Sequence, residues 1–222
     1  MPGRLWFGCG SAADERPLWL EMLGERHTRI VYWPFALGPE MLAGADAWLR
    51  GNLDALGADY ELTTWESLEG HRPEELMEVA DLLFVGGGNT FRLLGEVRRH
   101  GFLEPARAFW RAGRDYYGGS AGAVLACESI AIAEGHDPNE PGLDDLTGLG
   151  LFTGATILPH FTPAQVESAQ RWGRAHDTTV IGMPESIGLA HADAHSTVIG
   201  AGVLTVITPT GVQQLAPGES FG

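Results

Sequence analysis

No lysine occurs anywhere in these 222 residues. That absence removes Ser–Lys dyads, Schiff-base chemistry on lysine and a phosphate-loop lysine from consideration. Cysteine is almost missing as well. Cys9 and Cys127 each sit in an apolar stretch, which reads as two reduced, buried thiols and not as a disulfide framework. No four-ligand zinc spacing is present, so neither a metal nor a cofactor is expected. Long apolar runs are also lacking. Nothing approaches transmembrane length, and Trp6-Phe7-Gly8-Cys9-Gly10 is too short for the apolar part of a signal peptide. A soluble cytoplasmic chain with no membrane partner is the expectation. Positive charge is scarce: 14 basic residues, all arginine, face 29 acidic ones, for a net charge of −15. A nucleic-acid binder needs a basic face, so that role is set aside.

The chain does have enough apolar residues, at 44%, for one sizeable core, and a single domain over residues 1–222 is expected. Strand-like runs at 5–9, 29–33, 59–65 and 81–85 alternate with helical patterns at 17–23, 40–56, 72–80, 91–100 and 103–112. The spacing of Met41, Leu42, Ala45, Trp48, Leu49 and Leu53 predicts one amphipathic helix over 40–56. Further on, 129–133, 156–158 and 179–183 read as strands, 134–150 as a polar loop and 164–175 as a helix. Short strands at 188–192, 196–200, 203–208 and 211–215 read as an antiparallel β tail. The predicted fold is α/β: a doubly wound, mostly parallel sheet flanked by helices, with that short tail.

The stretch with the clearest chemical content is Gly118-Gly119-Ser120-Ala121-Gly122, which fits the G-x-S-x-G nucleophile elbow. A serine that attacks a carbonyl must stand on a sharp turn between strand and helix, with small neighbours that admit the substrate. The plainer explanation of this stretch is a Gly-rich turn in which Ser120 caps a buried helix. A second Gly-rich turn, Gly86-Gly87-Gly88-Asn89, ends the strand at 81–85. In doubly wound sheets ligands sit beyond the carboxyl ends of strands, so the two turns point to one site. Free N–H groups at Gly88 and Ala121 would stabilise an oxyanion.

A serine nucleophile needs a base and an orienting acid. His160 ends the 156–158 strand between Pro159 and Pro163 and is the candidate base. His27, His71, His100 and His176 lie in or near polar helix ends and turns, and His191 and His195 lie in the tail. His136, in the 134–150 loop, is the rival. With the chain order Ser…acid…His, the acid should fall between Ser120 and His160. Glu134 and Asp137 are the candidates, Glu134 first because it follows a strand-like run.

Phe84-Val85-Gly86-Gly87-Gly88-Asn89-Thr90-Phe91, Gly119-Ser120-Ala121-Gly122-Ala123, Pro159-His160-Phe161 and Thr179-Val180-Ile181-Gly182-Met183-Pro184-Glu185, taken in order, resemble peptidase E, the aspartyl dipeptidase family related to cyanophycinases. The resemblance implies a class I glutamine amidotransferase-like fold. It implies Ser120 as nucleophile, His160 as base, Gly88 with Ala121 as oxyanion hole, and an acid at Ala133-Glu134-Gly135, with Asp137 as the alternative. It also implies metal-free removal of N-terminal aspartate from short peptides. Substrate contacts would come from Asn89 and from an arginine, Arg171 or Arg174, because a buried acidic side chain needs a cationic partner. A broader dipeptide specificity, or an amidotransferase-like hydrolase acting on another amide or ester, remains open. So does the choice between monomer and homodimer.

Overall fold

The computed structural model describes residues 1–10 and 12–222. In chain order the elements are β1 (Leu5–Gly8), α1 (Arg16–Leu23), β2 (Thr28–Trp33), α2 (Pro39–Leu42), α3 (Ala45–Leu56), β3 (Tyr60–Thr64), α4 (Pro73–Val79), β4 (Leu82–Val85), α5 (Thr90–Arg99), α6 (Leu103–Arg111), β5 (Asp115–Gly119), α7 (Ala121–Ala126), β6 (Ala155–Pro159), α8 (Val166–His176), β7 (Thr179–Met183), β8 (Ile187–Ala192), β9 (His195–Gly200), β10 (Leu204–Ile207), β11 (Val212–Leu215) and β12 (Ser220–Phe221).

The main sheet has eight strands in the order β12-β9-β8-β1-β5-β4-β2-β3. β1, β5, β4, β2 and β3 are parallel, and β8, β9 and β12 extend it antiparallel. Side chains on a strand alternate between faces, and here both faces are buried. Leu5, Phe7, Val31, Trp33, Leu83, Val85 and Tyr116 join the core formed with α4 to α8. Trp6, Ile30, Tyr32, Leu82, Phe84 and Tyr117 join the core formed with α1 and α3. This two-sided burial is why the β4 sequence shows no polar alternation. No helix is long and apolar enough to cross a membrane among the described residues.

Three expectations change. The helix expected at 40–56 is two helices, parted at Ala43 and Gly44. The break leaves Met41 on a single turn while Leu49 and Leu53 stay in the core. The strand-like run 129–133 is a 3₁₀ turn over Ala131–Ala133, with only an isolated bridge from Ser129 to Thr147. The antiparallel tail is shared between two sheets: β8, β9 and β12 edge the main one, whereas β10 and β11 join β7 and β6 in a second sheet ordered β11-β10-β7-β6.

At the ends of the sheet strands remote from the Gly-rich turns, Asp81 takes a bidentate pair from Arg29, Nε to Oδ2 at 3.0 Å and Nη2 to Oδ1 at 2.9 Å, and pairs with Arg114 as well. The Arg29 hydrogen bonds, then the Arg29 and Arg114 charges, pull the Asp81 carboxyl from 3.8 down to about 2. A carboxyl with a depressed folded-state pKa contributes stability above its ordinary pKa and loses it as pH falls through the depressed value. Both side chains are about one-third exposed, so solvent screening reduces the effect to on the order of 1 kcal/mol. Asp81→Asn is expected to lower stability at pH 7 by about that amount in urea denaturation, and the gap to the parent should close between about pH 4 and pH 2.

Candidate active site

β1, β5 and β4 run parallel and deliver their carboxyl ends together, with Gly8 registered to Gly119 and Val85 to Gly118. The chain then turns sharply into α7. Ser120 carries this turn at φ 50°, ψ −108°, a strained setting for a residue with a Cβ. Glycines make the crossing possible. A Cβ on Gly118 would lie 2.5 Å from the Gly122 carbonyl carbon, and one on Gly122 would lie 2.4 Å from the Val85 oxygen. The Ser120 N–H donates to the Gly8 carbonyl at 2.8 Å, which ties the turn to β1. Beneath it lies the buried Glu15, which accepts from Tyr117 Oη at 2.5 Å, Trp19 Nε1 at 3.2 Å and the Gly10 N–H at 2.5 Å.

His160 arrives from the second sheet. β6 and β7 are parallel, with Pro159 registered to Met183. Both strands therefore release their chains at the same end, His160 just after β6 and Glu185 just after β7. His160 adopts φ 55°. Its Nε2 lies 2.8 Å from Ser120 Oγ, and its Nδ1 lies 2.5 Å from Glu185 Oε1. A carboxylate at Nδ1 selects the tautomer protonated there and leaves Nε2 to accept the serine hydroxyl.

The structure places neither expected acid at the His160 ring. Glu134 is exposed and begins the polar loop after the 3₁₀ turn. Asp137 Oδ2 accepts from the Thr90 N–H at 2.8 Å and the Thr90 hydroxyl at 2.6 Å. Neither carboxylate holds the His160 ring. Glu185, which does reach the ring, lies outside the expectation because the chain order Ser…acid…His confines the acid to residues before His160. The available signal was Met183-Pro184-Glu185 closing a strand next to the one that ends at His160. His136, the rival base, is exposed and has no bond to Ser120 among the described residues.

The second Gly-rich turn lies alongside. Gly88 holds φ +133°, and a Cβ there would meet the Ala36 oxygen at 2.3 Å, so the position admits only glycine. Among the described residues no backbone carbonyl engages the N–H groups of Gly88 and Ala121. Asn89 caps α5: its Oδ1 accepts from the Arg92 N–H at 2.7 Å and its Nδ2 donates to the Pro138 carbonyl at 2.9 Å. Two cavities flank Ser120 and His160, one of about 620 Å³ and one of about 300 Å³. Asn89, Arg171 and Arg174 line neither. Arg174 instead donates to the Pro209 carbonyl at 2.7 Å, and Arg171 is exposed on α8.

Cys9, His160 and Glu185 place one possible metal-ligand atom each within 4.8 Å of one another. Their chemistry favours a different use. Burial pushes the Cys9 thiol up to about 12, so it stays protonated and donates to the Met183 carbonyl at 3.3 Å, while its sulfur accepts the His160 N–H at 3.4 Å. The thiol thus links the His160 backbone to the chain that leads to Glu185. Cys127 is likewise pushed up by burial, to about 11. Neither thiol supplies a thiolate nucleophile.

Comparison with known proteins settles the lineage. The profile of peptidase family S51 matches residues 10–199. The chain belongs to peptidase family S51. It is a serine-type peptidase, as that membership and its relatives indicate. It is 32% identical over 211 residues to a peptidase E of Escherichia coli O6:K15:H31, covering 90% of this chain and 86% of that one. It is 41% identical over 126 residues to a peptidase E of Salmonella arizonae, about half of each chain (51% and 52%). A candidate peptidase E protein of Listeria monocytogenes EGD-e shares the fold at a TM-score of 0.73 and 24% identity, over 91% of this chain and 100% of that one. A peptidase from an acI-B1 actinobacterium shares it at 0.72 and 21%, over 100% and 97%.

For this S51 peptidase the decisive comparison is among carboxylates. Glu185→Gln keeps the shape at the His160 ring and removes the charge. It should lower kcat by several orders of magnitude, as the corresponding amide change does in serine proteases, where the loss is roughly 10⁴. Glu134→Gln should stay within about twofold of the parent. Steady-state kinetics on the three folded proteins checks this, and the reverse ranking would remove Glu185 from the site.

Proposed function

We propose that this chain hydrolyses short peptides from a free N-terminus through an acyl-enzyme, with Ser120, His160 and Glu185 as its triad. The observation that carries the reading is the unbroken line of hydrogen bonds from Ser120 Oγ to His160 Nε2 and from Nδ1 to Glu185. Ser120 Oγ attacks the scissile carbonyl while its proton passes to His160 Nε2. Glu185 stabilises the imidazolium that forms. The oxyanion is received by the N–H groups of Gly88 and Ala121, and loss of such a donor costs about 3 kcal/mol of transition-state stabilisation. His160 then gives its proton to the leaving amine as the carbon–nitrogen bond breaks. Water enters, gives a proton to His160 and attacks the acyl carbon. As the ester carbon–oxygen bond breaks, His160 returns a proton to Ser120 Oγ and the acid product leaves.

Asp137 fits the substrate's α-ammonium. It lines the smaller cavity, its Oδ2 is fixed by Thr90, and Oδ1 has no hydrogen-bond partner among the described residues. The preference for N-terminal aspartate implied by the resemblance would need a cationic partner for the acid, and no arginine lines either cavity among the described residues. We therefore favour the broader specificity over the aspartyl one. A panel of X-Ala dipeptides tests this. Ala-Ala should be cleaved at least as well as Asp-Ala by the parent, whereas a preference for Asp-Ala of more than about tenfold would restore the aspartyl reading. Ser120→Ala should fold normally and lose about a millionfold in kcat. A folded variant retaining a few per cent of the activity would rule Ser120 out as nucleophile.

A further inference from the structure

The larger cavity is out of proportion to a site that would only accommodate the reacting peptide bond. It measures about 620 Å³ and opens on Ser120 and His160. Its inner wall is formed by Tyr32, Phe84 and Tyr117, all otherwise buried. Its outer wall carries Leu37, Met41 and Trp48. Met41 is 60% exposed and Trp48 is 42% exposed, although both stand on amphipathic elements where polar residues would serve at the surface. A large apolar side chain left in water at the mouth of a cavity is explained if something apolar covers it. The break between α2 and α3 at Ala43 and Gly44 keeps Met41 at this rim.

The two cavities differ in kind. The smaller one, of about 300 Å³, holds Asp137, His136, Gln165 and Thr90. Asp137 is its one carboxylate, and the part-buried position suits an ammonium group. Among the described residues no arginine lines this cavity, so no fixed positive charge awaits an acidic side chain. The larger cavity has one carboxylate, Glu40, on its exposed rim, and no cationic side chain apart from what His160 can carry. An anionic side chain would meet the Glu40 carboxylate there and no arginine among the described residues. A neutral apolar one would displace water from aromatic and aliphatic walls.

From this we propose that the larger cavity is the subsite for the residue on the leaving-group side of the scissile bond, and that it selects a bulky apolar side chain such as phenylalanine or leucine. The N-terminal residue, small and neutral, occupies the smaller cavity with its ammonium on Asp137. This rests on the serine-peptidase reading of the same site. The preferred substrates are thus short peptides with a small first residue and a large apolar second one.

The test uses the whole protein and peptide amides, because a free carboxylate on the second residue would lie on the side that carries Glu40. Values of kcat/KM for Ala-Phe-amide, Ala-Gly-amide and Phe-Ala-amide are measured by release of the second residue. Ala-Phe-amide should exceed Ala-Gly-amide by at least about tenfold, and Phe-Ala-amide should be the poorest. The ratio of Ala-Phe-amide to Ala-Gly-amide should fall at least about fivefold in Trp48→Ala and again in Met41→Ser. It should remain at the parent value in Leu20→Ser, which changes an equally exposed apolar residue on α1. Equal rates for the Phe and Gly amides, a preference for Phe-Ala-amide, or an unchanged ratio in both rim variants would overturn the subsite. Those outcomes leave hydrolysis itself intact. Failure of the parent to cleave any of the three would also overturn the subsite, and failure to cleave every X-Ala dipeptide as well would instead contradict the peptidase reading.

Discussion

The site depends on a backbone crossing that leaves no room for a Cβ. Where β5 turns into α7, Gly118 lies against Gly122, and Gly122 lies against the Val85 carbonyl at the end of β4. Any side chain at either position would push the elbow away from its neighbours. The turn then depends on those neighbours to hold Ser120 at its positive φ: the Gly8 carbonyl below its N–H, and the buried Glu15 that ties Tyr117 to Gly10. Strain of this sort persists only where the surroundings over-determine it. Five parallel strands with both faces buried are rigid enough to do so.

The proposed partners of Ser120 come from a different sheet, and their alignment follows from register. Parallel β6 and β7, matched at Pro159 and Met183, bring His160 and Glu185 out at one end. The protonated Cys9 thiol spans the gap between β1 and those two chain ends. The large sheet thus carries Ser120 and both Gly-rich turns, while the small sheet carries His160 and Glu185. In the proposed triad, proton transfer from Ser120 to His160 requires only that the two sheets keep their relative position at one serine–histidine contact.

Much of this was legible in the sequence, for physical reasons. The β4 run and the two Gly-rich turns announce strand ends because apolar residues cannot continue into water and glycine alone fits the approach distances. His160 was legible from its strand-end position between two prolines. Glu185 is not legible, since its approach to the His160 ring depends on which strands pair, and sequence order alone does not show that pairing. Glu134 looked well placed because Ser129 to Ala133 reads as a strand; the segment instead closes as a 3₁₀ turn. Arg171 and Arg174 follow from the resemblance and the need for a cationic partner, and neither lines the cavities. The split at Ala43 and Gly44 was hidden by a hydrophobic spacing that continues across it.

The central claim is that Ser120 is made nucleophilic by His160. Treating the protein with a fluorophosphonate probe and locating the adduct by peptide mass spectrometry tests it most directly, because such probes require an activated serine. The account predicts a single adduct on the peptide containing Ser120, formed far more slowly in His160→Ala and suppressed by a competing peptide substrate. An adduct elsewhere, or labelling of Ser120 at the same rate without His160, would contradict it.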